Sequence, residues 1–433
     1  MDVAIISIGN ELLIGDTVNT NATWLGRFFS ENGCNVTRVL TIPDEHEVIY
    51  REMDESLKNA DLTVATGGLG PTHDDITKKT VADLFNCGMV RHDKTLAYVQ
   101  EVFERRGFVF SESNYAQADV PEAAEVLFNS AGTAPGMWLE RDGRYLAILP
   151  GVPFEMKYLT ERHIWPKVEE IWPELYTPVV RYLKTAGIGE STLSDLAVGN
   201  LDDFLDDNLQ VAYLPSPSGV VIRITGYYQS QNEREPLMER LDELESYIKQ
   251  KAGGYIYSDR KEDSLENYLG RLLPEKNLSL TTAESCTGGA LANHITDIPG
   301  SSNYFYGGWV VYSNDLKEQQ LGVSREVLEK HGAVSKPVAL QLARAAAQKA
   351  GADIGVSTTG VAGPGGGTEE KPVGTVWIGF WSKEHHFAVK PVLTKDRHQN
   401  KERSVHVALE LIRRVTEGIE NMPYDLEPQF PDD

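Results

Sequence analysis

The chain opens on an unbroken apolar run, VAIISIG (Val3–Gly9). Asn19–Gly33 then places apolar residues three and four apart and stops at glycine. The pattern repeats: VTRVLTIP reads as a strand, EHEVIYREMDESLKN as a helix, DLTVATGG as a strand and DDITKKTVADLFN as a helix. Strand and helix in strict rotation predict a mostly parallel, doubly wound sheet covered on both faces. Such sheets bind ligands at the carboxyl ends of their strands, where the loops gather.

From about residue 172 the pattern changes. VVRYLKTAGIG predicts a strand, ESTLSDLAVGNLDDFL a helix, and VAYLPSPSGVVIRITGYY a hairpin turning at Pro-Ser-Pro-Ser-Gly. EREPLMERLDELESYIKQKAG is a long amphipathic helix with acids and bases at helical spacing. This is a small α+β module, read as a connector or dimerisation piece. Beyond it, DSLENYLGRLLPEKN (helix), LSLTTA (strand), YFYGGWVVYS (strand), KPVALQLARAAAQKAG (helix), ADIGVSTTG, VGTVWIGFWS and HFAVKPVLT (strands) and a closing helix, RHQNKERSVHVALELIRRVTEG, make a second α/β domain. The expected divisions are residues 1–171, 172–257 and 258–420. The tail at 421–433, acidic and Pro-rich, is expected to lack structure.

The 433 residues suit two or three domains. A net charge of −23 argues against general nucleic-acid binding and against docking on anionic lipid. No run approaches the roughly 20 apolar residues that span a bilayer, and the amino terminus lacks a basic leader. The three cysteines, Cys34, Cys87 and Cys286, form no CxxC pair or zinc pattern. These features predict a cytoplasmic protein.

TGGLGPTHDDIT (Thr66–Thr77) places Gly67, Gly68 and Gly70 after a buried strand, where backbone amides can approach an anion closely. Asp74 and Asp75 follow at a helix start. One would cap the helix; the pair could equally hold a divalent cation beside substrate phosphates. Glu11, Asn19 and Asn21 stand at the exit of the first strand, and AGTAPGMW (131–138) and LPGVPFEM (149–156) supply further Gly/Pro loops. The expected ligand is a phosphate-bearing, nucleotide-like molecule.

In the last domain LTTAESCTGGAL (280–291) puts Ser285 where a strand gives way to a helix. Amides there would face an oxyanion, or Ser285 would merely cap the helix. VVYSNDLK (310–317) supplies Tyr312, Asn314 and Lys317, and a buried lysine of lowered pKa can serve a serine as base. STTGVAGPGGGTEEKPVGTV (357–376) adds a Gly-rich loop with Thr359, Gly360, Ala362 and Gly363. Cys286 is one position on, about 100° around a helix, so one site can use only one of the two; Cys286 is read as a small buried thiol. Ser246-Tyr-Ile-Lys249, an SxxK, falls inside the long amphipathic helix and is read as chance.

Together these motifs resemble the CinA family of competence/damage-inducible proteins over about residues 1–420. TGGLGPTHDD, GTAPG and LPGVPFEM look like its N-terminal domain of molybdopterin-binding fold. TTAESCTGG, YSNDLK and GVAGPGGGTEEKPVGTV look like its C-terminal nicotinamide-nucleotide amidase domain. Phe128 stands where the family pattern has proline. The resemblance implies two activities: hydrolysis of nicotinamide mononucleotide to nicotinate mononucleotide and ammonia, and cleavage of ADP-ribose to AMP and ribose 5-phosphate. For the first it implies Ser285 as nucleophile, Lys317 as base and Tyr312 helping to keep the lysine's charge state and position. Thr287, Gly288, Gly289 and Asn314 and the 359–363 loop would line the substrate, with Arg397 or Arg403 on its phosphate. For the second it implies a divalent ion of the magnesium or cobalt type on Asp74 and Asp75, with Thr66, the three glycines, Glu11, Asn19 and Asn21 around the substrate. The competing expectation is a pterin or nucleotide binder without catalysis, or a competence-related binding protein. A homodimer without nucleic-acid or membrane partners is also expected.

Overall fold

The structure, a computed structural model, describes residues 1–70, 76–175, 177–228 and 230–431. The chain divides into two compact units, Met1–Pro178 with Tyr227–Gln231, and Val179–Gly226 with Asn232–Asp433.

The first unit is built on a six-stranded sheet. Its strands are β1 (Asp2–Ile8), β2 (Asn35–Ile42), β3 (Leu62–Thr66), β6 (Glu125–Leu127), β7 (Gly136–Arg141) and β8 (Arg144–Leu149); β4 (Met89–Arg91) and β5 (Asp119–Pro121) form a separate pair. The sheet order is β2-β1-β3-β8-β7-β6, parallel from β2 to β8 and antiparallel beyond. The apolar runs of β1 and β3 mark central strands, buried on both faces, whereas β2 alternates because it is an edge. The antiparallel half comes from a tight hairpin: Asp142 and Gly143, both at positive φ, join β7 to β8. Gly136–Trp138, expected within a loop, therefore open a strand.

The second unit holds two sheets. The middle module is antiparallel, with β9 (Val179–Thr185), β10 (Leu209–Ser216), β11 (Gly219–Gly226) and β12 (Ile256–Ser258) in the order β10-β11-β9-β12. The helix Gln231–Ala252 buries Leu237, Leu241, Leu244 and Ile248 along one stripe. The last domain has β13 (Leu280–Glu284), β14 (Phe305–Val310), β15 (Ile354–Gly360), β16 (Val376–Trp381) and β17 (His386–Val389) in the order β14-β13-β15-β16-β17. β14, β13 and β15 run parallel, so the ends of β13, β14 and β15 open at one edge of the sheet. The helices Leu265–Glu275 and Arg397–Glu417 cover one face through Leu269, Leu273, Leu409 and Ile412. On the other face the alanine-rich helix Lys336–Ala350 lies close to the strands. A Cβ on Gly355 would stand 2.1 Å from Ala343 O, and one on Gly379 2.4 Å from Ala339 O. Small residues on both sides permit that approach.

The closing helix also carries buried charge. Glu410 bonds Arg413 at 2.7 and 2.8 Å and Arg414 at 2.7 Å. The two guanidiniums reach outward to carbonyls of Gly254 (2.8 Å) and Ala186 (3.5 Å) in the middle module and of Asn421 (2.5 Å) in the tail. Tail and module are thus tied to one helix. This corrects the expectation of a structureless tail: Tyr424 N donates to Gly187 O, and Gln429 exchanges both backbone bonds with Ala388. Backbone pairing, invisible to composition, orders it. Among the described residues no helix is long and apolar enough to cross a membrane.

Removing Glu410 leaves buried Arg414 without a carboxylate and Arg413 with Glu417 alone, at 2.7 Å, and breaking a buried pair of this kind typically costs about 3–5 kcal/mol. Glu410→Gln should therefore move the urea transition of this unit to markedly lower denaturant in the full chain. An unchanged midpoint would show the cluster to be energetically idle.

Candidate functional site

Ser285 leaves the end of β13 with its amide still bonded to Thr358 O at 2.9 Å. It is 8 % exposed. Lys317 enters from the helix Asn314–Leu321, which Ser313 caps. Its side chain is buried, at 1 % exposure, and its Nζ donates to Ser285 Oγ at 3.1 Å, to Val311 O at 2.8 Å and to Tyr312 O at 3.4 Å. No carboxylate bonds this amine among the described residues. Burial holds its pKa below the ordinary lysine value. A neutral amine has two N–H donors and one lone pair. The two carbonyls can take both donors, which leaves the lone pair for the serine hydroxyl.

Tyr312 meets the lysine with its backbone and not with its ring. Its carbonyl accepts from Lys317, while its phenol, 60 % exposed, accepts from Arg397 at 3.2 Å. The hydroxyl makes no bond to the amine. Arg397 also donates to Gly363 O at 2.8 Å and so joins the Gly-rich loop to the β14 exit. Ala362 O is held by Asn400 Nδ2, and Gly360 is pressed against Thr375 O, so a side chain there would collide.

Two predicted substrate hydroxyls are engaged inside the protein. Thr287 Oγ1 lies 2.7 Å from Glu284 and 2.6 Å from Thr358 Oγ1, and Thr359 Oγ1 donates to Ala333 O at 2.8 Å. Both position the loops rather than face a ligand. Gly288 and Gly289 turn the chain at φ 66° and 96° into the helix Ala290–Thr296. Asn314 is exposed on the first turn of the lysine helix. Arg403 lies about 200° around the closing helix from Lys401 and lines a cavity with the middle module instead of the Ser285 site.

Two residues of this site escaped sequence reading. Glu284, 1 % exposed, accepts from Thr287 Oγ1, from the amides of Gly289 and Leu291 and, through its other oxygen, from the amide of Ala292. A carboxylate buried at a helix start, fully bonded to orphan amides, fixes the Ser285–Gly289 loop. It looked like the last residue of a strand. Lys401 stands four residues after Arg397, on the same helix face, and a Cβ on Gly288 would be 3.9 Å from its Nζ. That spacing was its available signal.

In the first unit the ends of β1, β3 and β8 surround a cleft of about 400 Å3, lined by Gly67, Gly68 and Gly70, by Glu11 and Asp44, and by Glu155. Gly67 (φ 116°) leaves no room for a Cβ, which would stand 2.1 Å from Ile8 O. Thr66, Asn19 and Asn21 hold the walls. Thr66 Oγ1 donates to Pro150 O at 2.8 Å, and Asn21 Nδ2 donates to Gly151 O at 2.7 Å. Asn19 caps the helix Thr20–Glu31 and donates to Thr41. Glu155, missed in the LPGVPFEM stretch, is a buried carboxyl bonded by Asn129 Nδ2 at 2.6 Å; burial raises its pKa. Asp74 and Asp75 lie outside the described residues, among which no three metal-ligating side chains gather.

Comparison with known proteins covers nearly the whole chain. Residues 4–170 match the family model of the probable molybdopterin binding domain, 180–258 that of the damage-inducible protein CinA KH domain, and 262–416 that of the CinA C-terminal domain. The middle module carries no G-x-x-G loop, the feature by which KH domains clamp a nucleic-acid backbone. A CinA-like protein of Chloroherpeton thalassium is 43% identical, covering 95% of this chain and 98% of its own. One of Salinibacter ruber is 41% identical, covering 96% and 99%. A putative competence-damage inducible protein of Clostridium tetani is 38% identical, covering 96% and 99%. Among solved structures, CinA of Thermoplasma acidophilum is 32% identical, covering 39% of this chain and 97% of its own with a TM-score of 0.36. With two relatives above 40% identity along nearly their full length, this chain belongs to the CinA family.

Proposed function

We propose that the last domain hydrolyses nicotinamide mononucleotide to nicotinate mononucleotide and ammonia through a Ser285–Lys317 dyad. The observation that carries this reading is the buried Lys317 amine, 3.1 Å from Ser285 Oγ, with carbonyls on its other donors. Ser285 Oγ attacks the carboxamide carbon as Lys317 takes its proton. Lys317 returns that proton to the departing nitrogen, the C–N bond breaks and ammonia leaves. Water then attacks the acyl-serine, again with Lys317 as base. The amides of Cys286 and Thr287 face the Cys286 sulfur; the oxyanion is assigned to amides of the loop after Ser285 or of the 359–363 loop. Arg397 and Lys401 suit the nucleotide phosphate. The substrate's identity rests on the family resemblance, and the chemistry on the dyad.

We propose for the first unit hydrolysis of ADP-ribose to AMP and ribose 5-phosphate, supported by the glycine-lined cleft. A divalent ion there would rest on Asp74 and Asp75 and would supply charge neutralisation at the pyrophosphate. Release of AMP from ADP-ribose should require added magnesium or cobalt and be lost in Asp74→Asn with Asp75→Asn. A chain that binds ADP-ribose without turnover would favour the pterin- or nucleotide-binding alternative.

Wild type should release ammonia from nicotinamide mononucleotide. Ser285→Ala and Lys317→Ala should each lower kcat by about three orders of magnitude or more, with little effect on KM. No ammonia from wild type would overturn the reading. Because the working base is the neutral amine, kcat should fall as pH drops through the Lys317 pKa. That inflection should lie below the usual lysine range. A rate flat across the neutral and alkaline range would refute the lysine as base.

The surroundings of Cys286 support its reading as a buried thiol rather than the nucleophile, since burial pushes it up to about 12. Cys34 is buried and pushed up to about 12 for the same reason. Iodoacetamide at neutral pH should therefore label Cys87 in the native chain and reach Cys34 and Cys286 only after unfolding. Rapid native labelling of Cys286 with loss of ammonia release would reverse the assignment.

A further inference from the structure

Arg403, absent from the Ser285 site, lines a cavity of about 410 Å3 inside the second unit. Four pieces of chain wall it. They are the turn Ile188–Glu190 after β9, the tip of the β10–β11 hairpin at Pro215–Pro217, the loop Pro391–Leu393 with Val407 of the closing helix, and Tyr424 with Leu426 of the tail. The volume is that of a small-molecule site, and the seam between two modules is where such sites concentrate. Most of the lining is apolar, and its polar members are few and of distinct kinds. Ser216 Oγ is engaged with Gly219 O at 3.0 Å and Ser218 at 2.9 Å. Glu190 is exposed and offers an acceptor.

Arg403 is the cation. Other arginines of this unit hold carboxylates: Arg181 with Asp242, Arg240 with Asp206, Arg271 with Asp263, Arg325 with Glu318. Arg403 forms no ion pair or hydrogen bond among the described residues, in a chain with 64 acidic side chains against 41 basic ones. An exposed arginine beside an apolar hollow is a ready partner for an anion. The tail over this hollow is strained. Tyr424 and Asp425 both adopt left-handed backbone (φ 53° and 52°), and Tyr424 N is held at 2.6 Å from Gly187 O. Left-handed geometry in consecutive non-glycine residues is costly and gathers at ligand clamps.

We propose that this cavity is a second ligand site, which takes a small amphipathic anion. Its apolar or aromatic body lies against the prolines, Ile188 and Val407; its carboxylate, sulfonate or phosphate meets Arg403; and an N–H or O–H on the ligand faces Glu190. The loop Pro391–Leu393 runs on through Thr394, bonded to Asn400, to Arg397 at the Ser285 site. An occupant therefore contacts the segment that positions Arg397.

The dye 8-anilino-1-naphthalenesulfonate has this make-up, with an aromatic body, an anion and one N–H, and serves as the probe. Titrated into the native full chain, it should reveal a saturable site. Arg403→Glu, an exposed change expected to leave the melting transition in place, should weaken that site at least tenfold. Val407→Trp, which fills the cavity, should remove it. Ser285→Ala should leave it untouched, so that failure here is separate from failure of the amidase reading. The proposal is overturned if wild type shows no saturable site, or if Arg403→Glu folds normally and its isotherm superimposes on that of wild type.

Discussion

The amidase reading of the last domain depends on one buried amine. Lys317 sits at 1 % exposure and, among the described residues, has no carboxylate and bonds only Ser285 Oγ and two backbone carbonyls. Desolvation disfavours its charged form. The same burial that lowers the pKa favours the neutral amine, whose lone pair would then be free for the serine hydroxyl. A carboxylate in that place would have reversed the effect by stabilising the ammonium.

The surrounding structure keeps that contact in place. Glu284 gathers the amides at the start of the helix after Ser285, and Thr287 and Thr358 lock the loop to β15. On the other side, Arg397 ties Tyr312 to Gly363. The first unit repeats the arrangement with other residues. Glycines at strand ends open a cleft, asparagine and threonine side chains hold its walls, and the carboxyl of Glu155 is buried in its lining. In both units the polar residues nearest the motif glycines mostly hold backbone in place, and a few face the opening.

Beneath these loops the second unit is held by charge as well as apolar packing. Glu410 and its two arginines are buried and reach the middle module and the tail through carbonyls. The module is therefore more than a connector in sequence. It shares one compact unit with the last domain, and their seam contains the cavity at Arg403.

By itself the sequence determined the alternation of strand and helix, and hence the parallel sheets, because burial on one or both faces imposes a period on the chain. It also placed Ser285, Tyr312 and the glycine loops at strand ends, since turns of that kind admit few residue types. What tertiary structure alone decided was the partner of each polar side chain. Thr287 and Thr359 look like substrate hydroxyls until Glu284 and Ala333 are seen to bond them. Arg397 and Arg403 look equivalent until the helix phase sends them to different places. The tail looked unstructured until Gln429 paired with Ala388. A hydrogen bond is made by atoms distant along the chain, and a periodic pattern carries no information about which of those atoms will meet.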